Sequence, residues 1–396
     1  MEDDEVVIIG AGICGLATAL ALHRKGIKSV VLEKSDSLRN ITGAAIGIWQ
    51  NGWRALDQLG VADTLRRTAA AIKRDRMVSL DGGRQHDTSI DGEFRSLKRK
   101  DLIDTLYAAL PPATVKFGCQ LESIKIDPNT TKPVLRFIDG SSIMAKVVIG
   151  CDGGKSIVAN FLNLKATKMF PLCGIRGFTN YRNGHLFDHE FARFRKDNVL
   201  VGRIPINGNM VYWFIAQPYV PADKRIWEDP EEIRRTSLEF LSDFPQDVQE
   251  MIEYADANSL SFARLRYRAP WDLLTGKFYK GRVVVAGDAL HVMGPFLGQG
   301  GSAGLEDAVV LARNMAQLGF NRVESGRKVM VHDHEEAFNI FARERRMRVF
   351  RLSLQTYLTG MLLGTSSRLK KVIYIVLLVV LFSNTRGHVD YDCGVL

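Results

Sequence analysis

Four apolar residues, Val6-Val7-Ile8-Ile9, make a run of strand length, and Gly10-Ala11-Gly12-Ile13-Cys14-Gly15 follows without a gap. The apolar period then changes. Leu16, Ala19, Leu20 and His23 recur at helical spacing up to Gly26, after which Val30, Val31 and Leu32 form a second buried strand ending at Glu33. The pattern predicts strand, glycine turn, helix, strand.

A polar loop leads to Gly43-Ala44-Ala45-Ile46-Gly47, and Asn51 is then expected to cap a short helix whose Trp53, Leu56 and Leu59 share a face before Gly60 ends it. Residues 64–71 read as a further helical turn. Residues 76–80 and 84–90 read as strands joined by Asp81-Gly82-Gly83, a hairpin signal. Residues 99–110 form a helical pattern with Leu102, Ile103, Leu106, Tyr107 and Leu110 on one side, stopped by Pro111-Pro112. Alternation follows to Gly150, with a hairpin at Asp139-Gly140 and a last apolar strand, Val147-Val148-Ile149-Gly150, immediately before Asp152-Gly153.

Residues 170–267 read as a different unit. Two β-rich runs, 199–206 and 210–217, flank Asn207-Gly208-Asn209, which predicts an antiparallel hairpin. Aromatic residues crowd this region; most are assigned to the core, with a few left to a ligand-covering face. Helices near 230–242 and 246–254 and a strand at 260–267 complete it. The parallel-sheet style resumes at Val283-Val284-Val285-Ala286-Gly287-Asp288, and Gly298-Gln299-Gly300-Gly301 leads into a helix over 302–318. Residues 335–363 are a long amphipathic stretch. Residues 372–382 are an eleven-residue apolar run behind Lys370-Lys371, roughly half of what a bilayer span needs, so a buried or interfacial helix is expected.

The first turn carries chemistry. Gly10 allows the tight turn, Gly12 removes a side chain where a pyrophosphate must approach, and Gly15 lets the helix pack closely on the sheet. The helix N-terminus offers unpaired N–H groups to phosphates. Glu33 is placed to accept hydrogen bonds from a ribose diol, which suits FAD or NAD; the motif alone does not choose between them. Asp152 and Asp288 both follow buried strands, on the edge where open α/β sheets bind ligands.

Composition narrows the class. A chain of 396 residues predicts two domains. Its five cysteines are scattered and without a CxxC pair, which fits a reducing compartment and argues against a dithiol flavin reductase. Met1-Glu2-Asp3-Asp4-Glu5 enters the first strand directly and shows no signal or transit segment, so a cytoplasmic location is expected. The net charge of +9 includes Arg343, Arg345, Arg346, Arg348, Arg351, Arg368, Lys370 and Lys371. These are expected to form a solvated helix face rather than a nucleic-acid site, with peripheral membrane contact left open. No metal-ligand cluster is visible, and nothing fixes the oligomeric state.

These elements together resemble the single-component FAD-dependent aromatic hydroxylases, the family of salicylate and p-hydroxybenzoate hydroxylase, and within it the plant FAD/NAD(P)-binding monooxygenases similar to zeaxanthin epoxidase. The match rests on the first glycine turn with Glu33, on Cys151-Asp152-Gly153-Gly154-Lys155-Ser156, on Gly287-Asp288-Ala289-Leu290-His291 with Pro295 and Gly298 to Gly301, and on Arg99. The resemblance implies an α/β fold: a discontinuous Rossmann-like FAD-binding domain (1–75, 96–168, 278–320), an inserted antiparallel-sheet substrate domain (76–95, 169–277) and a C-terminal helical segment (321–396). It implies that Gly10, Ala11, Gly12, Ile13, Cys14, Gly15 and Lys34 hold FAD with Glu33 at the adenosine ribose, that Asp288 serves the ribityl chain, and that Arg99 serves the ribityl or pyrophosphate region. Gly298, Gly300 and Gly301 would face the pyrimidine end of the ring, with Pro295 lining the reaction cavity.

By the same resemblance Asp152 and Gly153 serve both FAD and NAD(P)H. The family's DGxxSxVR pattern has Ala159 at the arginine place here, with Asn160 next to it. The activity implied is hydroxylation or epoxidation of a small aromatic or isoprenoid-like compound by O2 through a C4a-hydroperoxyflavin. Arg176 and Tyr181 are candidates to orient it, and His291 is expected to be structural. Rival readings are a flavin reductase or oxidase on the same scaffold and a non-catalytic FAD-binding protein.

Overall fold

The computed structural model describes residues 6–38, 44–187, 189–221, 227–318, 331–384 and 387–396. The acidic segment 1–5, Gly43 and the start of the expected C-terminal segment at 321 lie outside the described residues.

β1 (Val6–Ile9), α1 (Ile13–Arg24) and β2 (Ser29–Leu32) follow the hydrophobic pattern. β1 is buried along its length, and α1 buries Leu16, Leu20 and Leu22, each worth about 1.5–3 kcal/mol relative to exposure. Its N-cap, Gly12, is extended and has no side chain to satisfy the first N–H groups. β3 (Ala45–Trp49) and α2 (Gln50–Leu59) come next. Asn51 does not cap α2. The helix starts after Trp49, and Asn51 is a buried residue of its first turn whose amide is engaged elsewhere. Gly60 ends α2 with a φ of 75°.

The turn expected at 64–71 is shorter than predicted. α3 (Ala62–Arg66) is helical, but Ala70–Ala71 is a strand, β4, drawn into pairing with Ser96 and Arg95. β5 (Arg74–Ser79), β6 (Arg84–Ser89), β7 (Phe94–Lys98), α4 (Arg99–Ala108) and β8 (Val115–Lys116) follow. β9 (Leu121–Ile126), β10 (Pro133–Phe137) and β11 (Ser142–Met144) make a small antiparallel sheet, and β12 (Val147–Gly150) returns beside β1 with Ile8 opposite Ile149. α5 (Ile157–Phe161) leads to β13 (Lys168–Asn180), β14 (Glu190–Lys196), β15 (Val199–Pro205) and β16 (Met210–Pro218). The β15–β16 turn is closed by Asn207, whose side-chain oxygen accepts from the Asn209 and Met210 amides, both at 2.9 Å. The chain continues through α6 (Pro230–Phe240), α7 (Gln246–Glu253), β17 (Ser261–Tyr267), α8 (Pro270–Thr275), β18 (Tyr279–Lys280), β19 (Val283–Val285), α9 (Asp288–His291), α10 (Gly300–Gln317), α11 (Val331–Gly364) and α12 (Arg368–Leu381).

Among the described residues one sheet has the order β18-β19-β12-β1-β2-β8, parallel except at β18, and is the Rossmann-like frame. A second, β17-β13-β16-β15-β14-β5-β6, is antiparallel except where β14 meets β5. One of its faces is covered by α6 and α7, where Trp213, Ile215 and Val201 pack on Ile233, Val248 and Met251. The alternate residues Tyr212 and Phe214 therefore point to the opposite face.

The basic C-terminal residues are not a uniformly solvated face. Arg345 is fully buried and Arg348 nearly so, because α10 carries Glu306 and Asp307 inside the core and α11 packs its guanidinium groups on them. Arg346 Nη1 caps the end of α8, donating to the carbonyls of Leu273 at 2.7 Å and Gly276 at 3.0 Å. No helix of the described residues is long and apolar enough to cross a membrane. α12 is not a buried helix: none of its residues is buried.

Candidate functional site

The first glycine turn is held from two sides. Gly10 has a φ of 101°, and a Cβ there would lie 2.7 Å from the Cys151 carbonyl; one on Gly15 would lie 1.9 Å from the Gly10 carbonyl. A Cβ on Gly12 would meet nothing within 4 Å among the described residues. The turn is thus closed toward the sheet and open at Gly12, on the side where the first N–H groups of α1 point. Glu33 is buried, and its carboxylate accepts from the Ala11 amide at 2.9 Å and the Ser35 amide at 3.0 Å, tying the tip of β2 to the turn. Lys34 beside it is exposed.

The two other acids lie at the ends of neighbouring strands in the same sheet. Asp152 Oδ2 accepts from the Ile157 amide at 2.7 Å, while Oδ1 is buried with no hydrogen-bond partner among the described residues. Burial pushes this carboxyl up, and Ser156 and the α5 amides hold the rise back. Gly153 beside it has open space over its Cα. Ala159, at the place of the expected arginine, is buried in α5 and its amide donates to the capping Ser156 hydroxyl at 2.8 Å. Asp288 opens α9 with an exposed side chain, and the turn to α10 folds back so that a Gly300 Cβ would stand 3.9 Å from its Oδ1. Gln299, in that turn, is fully buried, and its Nε2 has no hydrogen-bond partner among the described residues. Each such buried orphan costs about 1–3 kcal/mol. Arg99, half-buried at the start of α4, donates its amide to Ala44 at 3.0 Å.

The Gly298 to Gly301 turn abuts the second sheet through aromatic rings. A Gly298 Cβ would lie 3.6 Å from Trp49 Nε1. Trp49 stacks on Phe94 with ring centroids 3.9 Å apart, Phe94 approaches Phe191 at 6.3 Å, Phe191 approaches Phe214 at 6.3 Å, and Tyr212 stands between Phe214 and Phe178. Arg176 lies at the far end of this row. Its Nε donates to Ser261 at 3.0 Å and its charge restrains the Tyr212 phenol, which burial pushes up. Tyr181 is not brought to Arg176: it packs edge-on to His185 and Phe187, against the core under α6 and α7. Pro295 is exposed at the start of the turn before Gly298, next to Phe296, which meets Phe170 edge-on at 5.3 Å.

The profile of the FAD binding domain family matches residues 3–322. The chain belongs to the FAD binding domain family. It is 46% identical to Monooxygenase 1 of Arabidopsis thaliana over the full length of both chains. It is 33% identical to Monooxygenase 2 of the same plant, over 91% of this chain and 90% of that one. The crystal structure of Klebsiella pneumoniae HpxO complexed with FAD and uric acid is 22% identical and shares the fold with a TM-score of 0.78, over 94% of this chain and 92% of that one.

Behind the open turns this FAD binding domain chain places a polar network that sequence reasoning missed. Asn51 Nδ2 donates to Gln299 Oε1 at 2.8 Å and to Glu306 Oε1 at 2.6 Å. Glu306 also accepts from Arg345 and Arg348, at 2.7 and 2.9 Å. Asp307 takes Arg345 Nε at 2.7 Å through Oδ1, and Oδ2 meets the Gly287 amide at 2.8 Å and His291 Nε2 at 2.7 Å. His291 is fully buried in this role, as the structural reading expects. One signal was present: Glu306-Asp307 sits inside an otherwise apolar helical run, where adjacent acids need buried partners. A second departure concerns the cysteines. Cys14 and Cys151 bring their sulfur atoms to 3.7 Å beneath the first turn, although the sequence scatters them.

Proposed function

We propose that the protein is an FAD-dependent monooxygenase that uses NAD(P)H and O2 to hydroxylate or epoxidise a small aromatic or isoprenoid-like compound. The observation that carries this reading is the meeting of the Gly298 turn with Trp49, which joins a dinucleotide cradle to a continuous row of aromatic rings. The names of the Arabidopsis relatives support it.

When bound, FAD supplies the redox chemistry, taking reducing equivalents from NAD(P)H and activating O2. The protein contributes position and exclusion. The open turn at Gly12, with Ala11, Ile13 and Cys14 around it, receives the pyrophosphate. Glu33 and Lys34 face the adenosine ribose, Arg99 and Asp288 the ribityl chain, and Gly298, Gly300 and Gly301 the pyrimidine end. Asp152 and Gly153 serve the cofactor and the passing nicotinamide. Trp49, Phe94, Phe191 and Phe214 form the wall that keeps water from the reacting oxygen, with Pro295 lining the same cavity. Arg176, acting with Tyr212, orients an acidic or phenolic oxygen of the substrate. On this reading residues 1–75, 96–168 and 278–320 carry the cofactor, and 76–95 with 169–277 the substrate. The reading includes a peripheral membrane contact through α12.

The test is turnover of a candidate substrate panel under heavy-isotope dioxygen with NADPH or NADH. Incorporation of one labelled oxygen atom into product is expected. Consumption of reductant with only hydrogen peroxide formed, across phenolic, aromatic-acid and isoprenoid compounds alike, would overturn it in favour of an oxidase.

A further inference from the structure

α12 meets the rest of the protein along a narrow stripe. Lys371, Tyr374, Leu378 and Phe382 recur at helical spacing and are partly buried, and Lys371 Nζ donates to Asn198 Oδ1 at 3.1 Å in the turn between β14 and β15. The remaining circumference is apolar and stands in solvent. Leu369 is 71% exposed, Val380 69% and Val379 63%, with Val372 and Val376 between them. Single exposed apolar residues are ordinary on a protein surface, whereas a contiguous helical face of them marks an interaction site.

Charge indicates what covers that face. Arg368 and Lys370 are exposed and stand with Lys371 at the N-terminal end of α12, and the helix carries no acidic residue. A second copy of this chain would bring the same basic residues to the interface with no carboxylate from α12 to pair them. An anionic lipid surface supplies phosphate oxygens to the basic end and acyl chains to the valine and leucine face. Length indicates the orientation. Fourteen residues span roughly 21 Å, less than the ~30 Å hydrocarbon core, so the helix lies along the surface rather than across it.

We propose that α12 is an interfacial helix that docks the protein on an anionic membrane leaflet. Tyr374 of the protein-facing stripe lies near Tyr267 and Tyr357, whose ring centroids are 5.3 Å apart, and Tyr267 packs on Phe170 with centroids 4.4 Å apart, so the docked helix adjoins the Phe170–Phe296 cluster. The docking deepens the membrane contact of the proposed function and does not depend on the oxidative activity.

The test is flotation of the full-length, flavin-loaded protein with phosphatidylcholine vesicles containing or lacking phosphatidylserine, paired with light scattering to give its oligomeric state. We expect flotation with the anionic vesicles, weakened at least tenfold by Val376→Glu with Val380→Glu and severalfold by Arg368→Glu with Lys370→Glu, each variant keeping its flavin and its melting temperature. Raised salt weakens binding of the wild type. Protein that stays at the bottom of the gradient with every vesicle overturns the proposal. So does a dimer that Val376→Glu with Val380→Glu converts to monomer while the wild type ignores vesicles, since α12 would then face a second copy.

Discussion

Arg345 and Asp307 form a 2.7 Å ion pair in which both side chains are fully buried. The same guanidinium holds Glu306, so one cation from α11 bridges two adjacent carboxylates of α10 directly behind the Gly287 and Gln299 turns, with Arg348 as a second cation on Glu306. The proposed cofactor cradle is therefore braced by charge as well as by apolar packing.

Arg345→Met should destabilise the fold by about 3–5 kcal/mol, because it leaves two carboxylates buried without their main partner. Urea unfolding of wild type and variant at neutral pH measures this. A difference under about 1 kcal/mol would mean that Arg348 and His291 suffice.

The same pair sets an acid dependence. Burial pushes Glu306 up, but Arg345 and Arg348 outweigh it, and burial of Asp307 is outweighed by His291 and Arg345, so both carboxyls are held below their ordinary values. Groups depressed in the folded state stabilise it above their unfolded pKa, about 4, and lose that contribution as pH falls further. The stability gap between wild type and Arg345→Met should be widest above about pH 5 and narrow below about pH 4. A gap that stays constant through acid would show that these carboxylates do not set it.

Gly12 and Gly15 should fail in different ways. A Cβ on Gly15 meets the Gly10 carbonyl at 1.9 Å, so Gly15→Ala should disrupt the turn and lower the yield of folded protein. Gly12→Val meets open space in the protein. It should fold with an unchanged circular dichroism spectrum and purify without flavin. Retention of full flavin content by Gly12→Val would remove the open turn from the binding site.

Arg176→Met should lower kcat/KM roughly tenfold to a hundredfold for an acidic or phenolic substrate, the worth of one hydrogen bond to a charged group, while flavin content stays unchanged. Steady-state kinetics on the purified variant decide it. Equal loss for a substrate without an acidic or phenolic oxygen would assign Arg176 to folding.

Much of the fold was legible because it is local. The change of period at Leu16, the glycine turn and the hairpin at Asn207 all write their geometry into neighbouring residues. What stayed hidden is long-range. Asn51 looked like a helix cap because capping depends on nearby sequence, whereas its partners are Gln299 and Glu306, brought in by α10. Arg345 looked solvated because its partners lie on another helix. Arg176 and Tyr181 are both candidates on sequence to orient a substrate, but β13 ends at Asn180, and beyond it Tyr181 turns to the helix-covered side. Cys14 and Cys151 meet only because β12 returns beside β1.

In the proposed function, this cradle couples a nicotinamide reductant to a substrate held against the aromatic row. Anaerobic reduction of the purified yellow protein by NADPH and by NADH, followed in a stopped-flow spectrometer with and without a panel of phenolic acids, tests it most directly. Flavin absorbance should bleach, and bleach faster when one of the compounds is present. Protein that carries no flavin, or flavin that neither nicotinamide reduces under any condition, would contradict it.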